Sequence, residues 1–276
     1  MPPRQLPNAM IERIRKLFSR QEPELPPARI PAGQRVYAIG DIHGRLDLFD
    51  QAILAIEEDD ARRGPADTTV ILLGDLIDRG PDSAMVVKTA RQWQQRRNVR
   101  ALLGNHEQML LDAMTDKDTL RHLLRYGGRE TLLSYGMSPA EYETSLLDDI
   151  LEGMPRMIPA DDLAWMRSME DRIAIGDYLF VHAGIMPGVP IEEQQGGNLR
   201  WIREPFLGYG GDHGMVVVHG HTITEEAEIR PNRIGIDTGA YYTGRLTALA
   251  LEGTGQRLIE AREEAGMIAI HTRSIA

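Results

Sequence analysis

The chain contains no cysteine among its 276 residues, which excludes a disulfide framework. No apolar run reaches the ~18 residues of a membrane span. The N-terminus also lacks the continuous apolar core of a secretory signal, and a cytoplasmic protein is expected. Basic residues are outnumbered, leaving a formal net charge of −10. That balance argues against nucleic-acid binding, which needs a basic face. It does not exclude a phosphate substrate, because bound dications would reduce it locally. There are no internal repeats and no low-complexity segments. The apolar content of 42% is enough for a sizeable core in one large domain or two small ones.

Against this background three short segments stand out in the first half: Gly40-Asp41-Ile42-His43-Gly44, Gly74-Asp75-Leu76-Ile77-Asp78-Arg79-Gly80 and Gly104-Asn105-His106-Glu107. Each follows an apolar, β-prone run (Val36–Ile39, Thr69–Leu73, Val99–Leu103) and leads into a stretch of helical character. Three strand ends in one sheet would deliver their carboxylates and imidazoles to a single edge, where α/β folds bind ligands. In the second half, Leu179–Val181 ends in His182, and Met215–Val218 leads to His219-Gly220-His221. Oxygen and imidazole donors without thiolate suit Mn, Fe or Zn, with Mn the first expectation. Two ions about 3.5–4 Å apart need one bridging carboxylate and donors on each side. Asp41 and His43 would hold one divalent ion, Asn105, His182 and His221 the other, and Asp75 would bridge them.

The order Gly-Asp-x-His-Gly, Gly-Asp-x-x-Asp-Arg-Gly, Gly-Asn-His-Glu, His-Ala-Gly, Gly-His-Thr resembles the phosphoprotein phosphatase family of metallophosphoesterases, nearest in pattern to its bacterial and phage members. Gly104–Met109, Trp201-x-Arg203-Glu204, Tyr126-Gly127-Gly128 and Ile236–Ala240 match the same pattern. The resemblance covers roughly residues 35–253. It implies an α/β, calcineurin-like metallophosphoesterase fold: a central β-sandwich flanked by helices, with a dinuclear site at the strand ends. Ile223 stands where other metallophosphoesterases carry a second histidine, and the phosphoprotein phosphatases lack that histidine too.

Phosphomonoester hydrolysis needs a nucleophile, charge neutralisation and a proton for the leaving oxygen. Two bridged dications would supply the first, by lowering the pKa of a shared water, and part of the second. Arginine forks suit the equatorial phosphate oxygens. Arg79 and Arg203 match the family's two phosphate-binding arginines, with Arg200 a weaker contender; alternatively Arg203 forms a surface ion pair with Glu204. The resemblance makes His106 the proton donor and Asp78 the group that orients it. His219 is assigned to packing or to the support of the ligands, Asp237 to tying a strand pair, and Tyr242 to the lip of the pocket.

These readings imply a dinuclear metal-dependent phosphohydrolase acting on phosphoserine and phosphothreonine in proteins, or on small phosphoesters. The alternative is a symmetrical dinucleoside polyphosphate (diadenosine tetraphosphate) hydrolase, whose family shares the motifs. A fold kept without catalysis would have lost a ligand or the acid, and every such position is present.

Three segments complete the organisation. In residues 1–34, Met10, Ile11, Ile14, Leu17 and Phe18 form an apolar stripe on a short helix, and four prolines follow between Gln21 and Gly33. This segment offers a weak membrane or partner contact, or packs on its own domain. From Gln108 to Met169 the chain reads as a helical insertion over the sheet edge, interrupted at Gly127-Gly128, Gly136–Pro139 and Gly153, with Arg125, Tyr126 and Arg129 near the pocket. Gly235–Asp237 and Arg245–Leu251 read as an antiparallel pair around the turn Tyr241–Gly244. Residues 254–276 read as an extension adding one edge strand.

Overall fold

Alternation along the strands explains the layers. In β1 (Gln34–Ile39), Val36 and Ala38 face one side and Tyr37 and Ile39 the other, and all four are buried. A strand buried on both faces belongs to the middle of a layered fold. The structure, a computed structural model, describes residues 27–275; the expected N-terminal helix lies outside them.

β1 pairs in parallel with β2 (Asp67–Leu72), and β2 with β3 (Val99–Ala101). The second sheet is built from β4 (Arg172–Ile175), β5 (Tyr178–Val181), β6 (Val216–His219), β7 (Glu228–Ile229) and β8 (Arg233–Gly235), in the order β4-β5-β6-β8-β7. The chain then returns to the first sheet with β9 (Arg245–Glu252), β10 (Gly255–Glu264) and β11 (Met267–Ser274), giving the order β11-β10-β9-β1-β2-β3. Between the sheets lies a core of Val36, Ala38, Ile71, Leu249 and Leu251 against Ile173, Phe180, Val218 and Ile234. Emptying one such side chain, as in Ile71→Ala, would cost about 2–5 kcal/mol.

Helices cover both outer faces. α1 (Leu46–Arg63), α2 (Ser83–Gln94) and α3 (Asn105–Ala113) follow β1, β2 and β3 and pack on the first sheet through Phe49, Ile56, Val86, Trp93 and Leu110. The helical insertion continues with α4 (Lys117–Leu123), a π-helical turn (Leu124–Gly128), α5 (Arg129–Ser134), α6 (Pro139–Thr144), α7 (Leu147–Met157) and α8 (Ala160–Arg167). Ser138 caps α6, accepting from Glu141 N while its own N–H reaches Glu141 Oε2, so the expected break at Gly136–Pro139 is present. Gly153 makes no break: it sits inside α7. Beyond the second sheet, α9 (Gly196–Trp201) and the turn after it pack Leu199, Ile202 and Phe206 on Val181 and Val217.

Two further sequence expectations are corrected. Gly235–Asp237 and Arg245–Leu251 are not partners: β8 lies in the second sheet beside β6, and β9 in the first beside β1. Between them α10 (Ala240–Thr243) is bracketed by Gly239 and Gly244 at φ 70° and 69°, and the chain crosses from one sheet to the other. Residues 255–274 form two strands, not one, and β11 is the edge. No helix among the described residues is long and apolar enough to cross a membrane.

Candidate metal centre

All the motif segments reach one edge because β1, β2, β3, β5 and β6 are parallel within their sheets and end there. Backbone bonds lock the loops together: Ile42 N and His43 N donate to Asp75 O at 3.1 and 2.9 Å, and Gly220 N donates to His182 O at 2.8 Å.

Asp75 is common to two groups of donor atoms, each within 4.8 Å: Asp75 with His43 and His106, and Asp75 with His182 and His221. The His43 Nε2–Asp75 Oδ2 and His182 Nε2–Asp75 Oδ1 distances are 3.5 and 3.4 Å. Asn105 Oδ1 lies 2.9 Å from His182 Nε2 and 2.8 Å from His221 Nδ1. Asp41 is buried but stands outside both groups; its carboxylate accepts from His221 N at 3.0 Å.

The donor set fits divalent cations. His43 Nδ1–H and His182 Nδ1–H donate to the carbonyls of Ile77 and Leu73 at 2.7 and 2.8 Å. Each bond leaves Nε2 as the lone-pair nitrogen, as supporting bonds do for metal-ligating histidines. Among the described residues, His43 Nε2 and His221 Nε2 are buried with no hydrogen-bond partner. Burial holds His43 and His182 below the usual imidazole range, and burial together with His182 brings His221 down to about 3. Neutral imidazole is the form that ligates a metal. Burial would raise Asp75, but the surrounding histidines hold it well below the carboxylate range and therefore ionised.

The backbone is strained at the same place. Six non-glycine residues among those described have positive φ, and five are His43 (47°), Asp75 (51°), Asp78 (71°), Arg79 (69°) and His221 (63°). Each costs on the order of 1–3 kcal/mol and persists only where the surroundings over-determine it. Glu107 does much of that work: its carboxylate accepts from the backbone N–H groups of Asp75, Leu76, Ile77 and Gly104 at 2.7–3.3 Å. Burial and Asp75 raise it to about 7. Sequence reasoning missed this role. A glutamate three residues after the helix-opening Gly104 signals only a local cap.

His106 Nδ1 lies 2.6 Å from Asp78 Oδ2. Asp78 is fully buried; Thr131 donates to Oδ1, and Asp78 N donates to Ser83 Oγ and Thr131 Oγ1 at 2.9 Å each. Burial would lower His106, but Asp75 and Asp78 outweigh it and hold the imidazole above its usual range. Arg79 Nη2 lies 3.0 Å from His106 Nε2. Arg203 is exposed and, among the described residues, has no carboxylate within ion-pair distance, so the surface pair with Glu204 does not form. Arg200 points elsewhere: it pairs with Asp171 and donates to Gln108 at 2.8 Å.

The neighbouring residues divide clearly. His219 stands edge-on to Phe206 and stays out of both donor groups, and burial lowers it to about 4. Asp237 accepts from Gly239 N at 2.9 Å, and burial beside Asp75 raises it to about 6. Tyr242 is 80% exposed. The tyrosine that reaches the site is Tyr241, 4.7 Å from Arg79 and 5.4 Å from the His43 ring. Of the insertion residues expected near the pocket, Arg129 pairs with Glu130 and Tyr126 lies tilted against His122, whereas it is Gly127, expected only as a break, whose O accepts from Arg79 N at 3.1 Å.

A two-sheet sandwich with carboxylate, imidazole and amide donors at its strand ends defines a metal-dependent phosphoesterase. The chain belongs to the calcineurin-like phosphoesterase family, whose model matches residues 34–244; it is a metallophosphoesterase, a hydrolase, and the family uses a dinuclear metal centre. It is similar to Serine/threonine-protein phosphatase 1 of Salmonella typhimurium, 29% identical over 79% of this chain and 93% of that protein. It is also similar to a symmetrical bis(5'-nucleosyl)-tetraphosphatase of Acidovorax ebreus, 32% identical over 64% of this chain and about half (49%) of that protein. The fold matches a crystal structure of the cold-active protein tyrosine phosphatase of a psychrophilic Shewanella, with TM-score 0.56 and 20% identity over 90% of this chain and 83% of that one.

Proposed function

We propose that the protein is a serine/threonine protein phosphatase of the phosphoprotein phosphatase type that hydrolyses phosphomonoesters. The observation that carries this reading is the buried Asp78–His106 pair beside Arg79, with His106 in the donor group of Asp75 and His43. A serine or threonine alkoxide is a poor leaving group and needs a positioned proton donor. Diadenosine tetraphosphate instead releases a phosphate oxygen, which departs readily without one. The match along 93% of a serine/threonine phosphatase also supports it.

In this reading Asp41, His43, Asp75, Asn105, His182 and His221 hold two divalent ions, with manganese the first candidate for this oxygen and nitrogen donor set. When bound, such ions lower the pKa of water and neutralise charge on the transferring group. Arg79 and Arg203 take the phosphate oxygens with their forks. Asp78 accepts a hydrogen bond from His106 Nδ1–H and so aims Nε2 at the departing oxygen, to which that nitrogen delivers a proton.

The second reading, a symmetrical tetraphosphatase, is favoured by the 32% identity over residues shared with that enzyme class. A steady-state comparison of phosphoserine peptides, diadenosine tetraphosphate and p-nitrophenyl phosphate with Mn²⁺ separates the two. The protein phosphatase should show the highest kcat/KM on the peptides. Efficient dinucleotide cleavage with weak peptide turnover would overturn it.

A further inference from the structure

Arg79 is held in an unusual way. Its backbone is clamped at φ 69°, and its N–H donates to Gly127 O at 3.1 Å. Gly127 is glycine for want of room, since a Cβ there would come within 2.7 Å of Arg79 N and Cγ. At the far end the guanidinium meets His106, yet among the described residues no carboxylate pairs with it. Its remaining neighbour is an aromatic face: Cζ lies 4.7 Å from the centre of the Tyr241 ring.

That choice has a chemical consequence. A carboxylate partner would neutralise the guanidinium and occupy the N–H donors that a phosphate needs. An aromatic face restrains the cation through its quadrupole and takes up none of its N–H donors. The ring itself is well fixed. Gly239 and Gly244 bracket α10 in the left-handed region, Thr243 Oγ1 donates to Thr238 O at 2.6 Å, and the ring also stands edge-on to His43. Tyr242, one residue on, turns to solvent.

Resting on the assignment of Arg79 to phosphate, we propose that Tyr241 is its positioning residue, holding the guanidinium in line for the transferring phosphate by a cation–π contact. The test uses the metal-loaded full-length enzyme, with inhibition by inorganic phosphate and KM for p-nitrophenyl phosphate as readouts and metal content measured alongside. Tyr241→Leu should raise both the phosphate inhibition constant and KM about three- to tenfold, with two metals still bound. Tyr241→Phe, which keeps the ring, should restore them to within about twofold. In an Arg79→Ala background, Tyr241→Leu should add nothing. If the leucine variant misfolds, progressively fluorinated phenylalanines at 241 carry the test, because phosphate inhibition should weaken as the ring loses electron density. Unchanged inhibition in Tyr241→Leu, a flat fluorination series, or the same effect with and without Arg79 would overturn the proposal while leaving Arg79 in place. Unchanged inhibition in Arg79→Ala alone would overturn both.

Discussion

The two ends of the first sheet are built on opposite principles. At the end where β1 and β2 begin, charge is abundant and matched. Arg35, 1% exposed, pairs with Asp60 at 2.6 Å and Glu252 at 2.8 Å, so its charge is matched although its Nε finds no partner among the described residues. Asp59 receives a fork from Arg257, a hydroxyl from Tyr37 at 2.6 Å and Arg63 Nε at 3.1 Å. None of the residues in this cluster has positive φ. At the opposite end, where the loops of both sheets meet, five residues sit in the left-handed region, and among the described residues two imidazole nitrogens are buried without partners and no carboxylate pairs with Arg79. Charges satisfied at once by their neighbours contribute stability. Groups left unsatisfied by the protein are available to ligands and substrate.

Breaking the shared carboxylate should have the largest effect. Asp75→Asn is expected to lose turnover and most bound metal together, read by metal analysis and kinetics on the same sample. A variant retaining two metals per chain and near-normal rates would show that Asp75 is not the common ligand.

His106→Asn comes next. Loss of a positioned acid costs ~10²–10⁴-fold, and phosphoserine peptides should bear it while p-nitrophenyl phosphate, whose phenolate leaves unaided, is affected far less. Metal content should be unchanged. Equal losses on both substrates, or loss of an ion, would make His106 a ligand, as its place in a donor group with His43 allows. Asp78→Asn should give the same pattern more mildly.

A smaller effect is expected for Arg203→Ala. A hydrogen-bonded charge is worth about 1.5–3 kcal/mol, so KM for phosphomonoesters and the phosphate inhibition constant should rise at least tenfold together. If neither moves, Arg203 remains a surface side chain.

The matched end supplies the contrasting test. Burial would raise the Asp59 carboxyl, but the Arg257 fork and the Tyr37 hydroxyl bring it down to about 2. A folded pKa below the unfolded one contributes stability that is complete above the unfolded value near 4 and is lost as pH falls toward 2. Asp59→Asn should therefore lose on the order of 2 kcal/mol at pH 7, with less difference from the parent at pH 3, as urea midpoints would show. Its kcat/KM should stay within about twofold. A catalytic defect without a stability defect would erase the distinction between the two ends.

Much of this was legible because strand-to-helix turns are local events. A β-prone run that stops at Gly-Asp or Gly-Asn, as after β1, β2 and β3, or at histidine, as at the ends of β5 and β6, gives away both the element and the direction of its end, so these strands were readable with their donor residues. The hairpin across Tyr241–Gly244 was misread for the complementary reason. Two apolar runs around a turn look alike whether they pair with each other or part into different sheets, and only the packing of Ile236 and Leu249 in the inter-sheet core decides it. β10 was hidden by charge. Its run of Arg, Glu and Gln reads as surface, yet Glu260 is 1% exposed and partnered by Arg262 at 2.7 Å.

Residue types and their spacing alone pointed to oxygen and imidazole donors for divalent ions, with one carboxylate placed to be shared, while the acid next to a ligand and the arginines for phosphate followed from the family resemblance. Tertiary structure decided what holds each of them. Glu107 reaches across to the Asp75 loop, Thr131 comes from the helical insertion to fix Asp78, and Tyr241 in place of Tyr242 lies under Arg79. Such partners are chosen by proximity between segments far apart in the chain, and proximity carries no signature in the local pattern of a sequence.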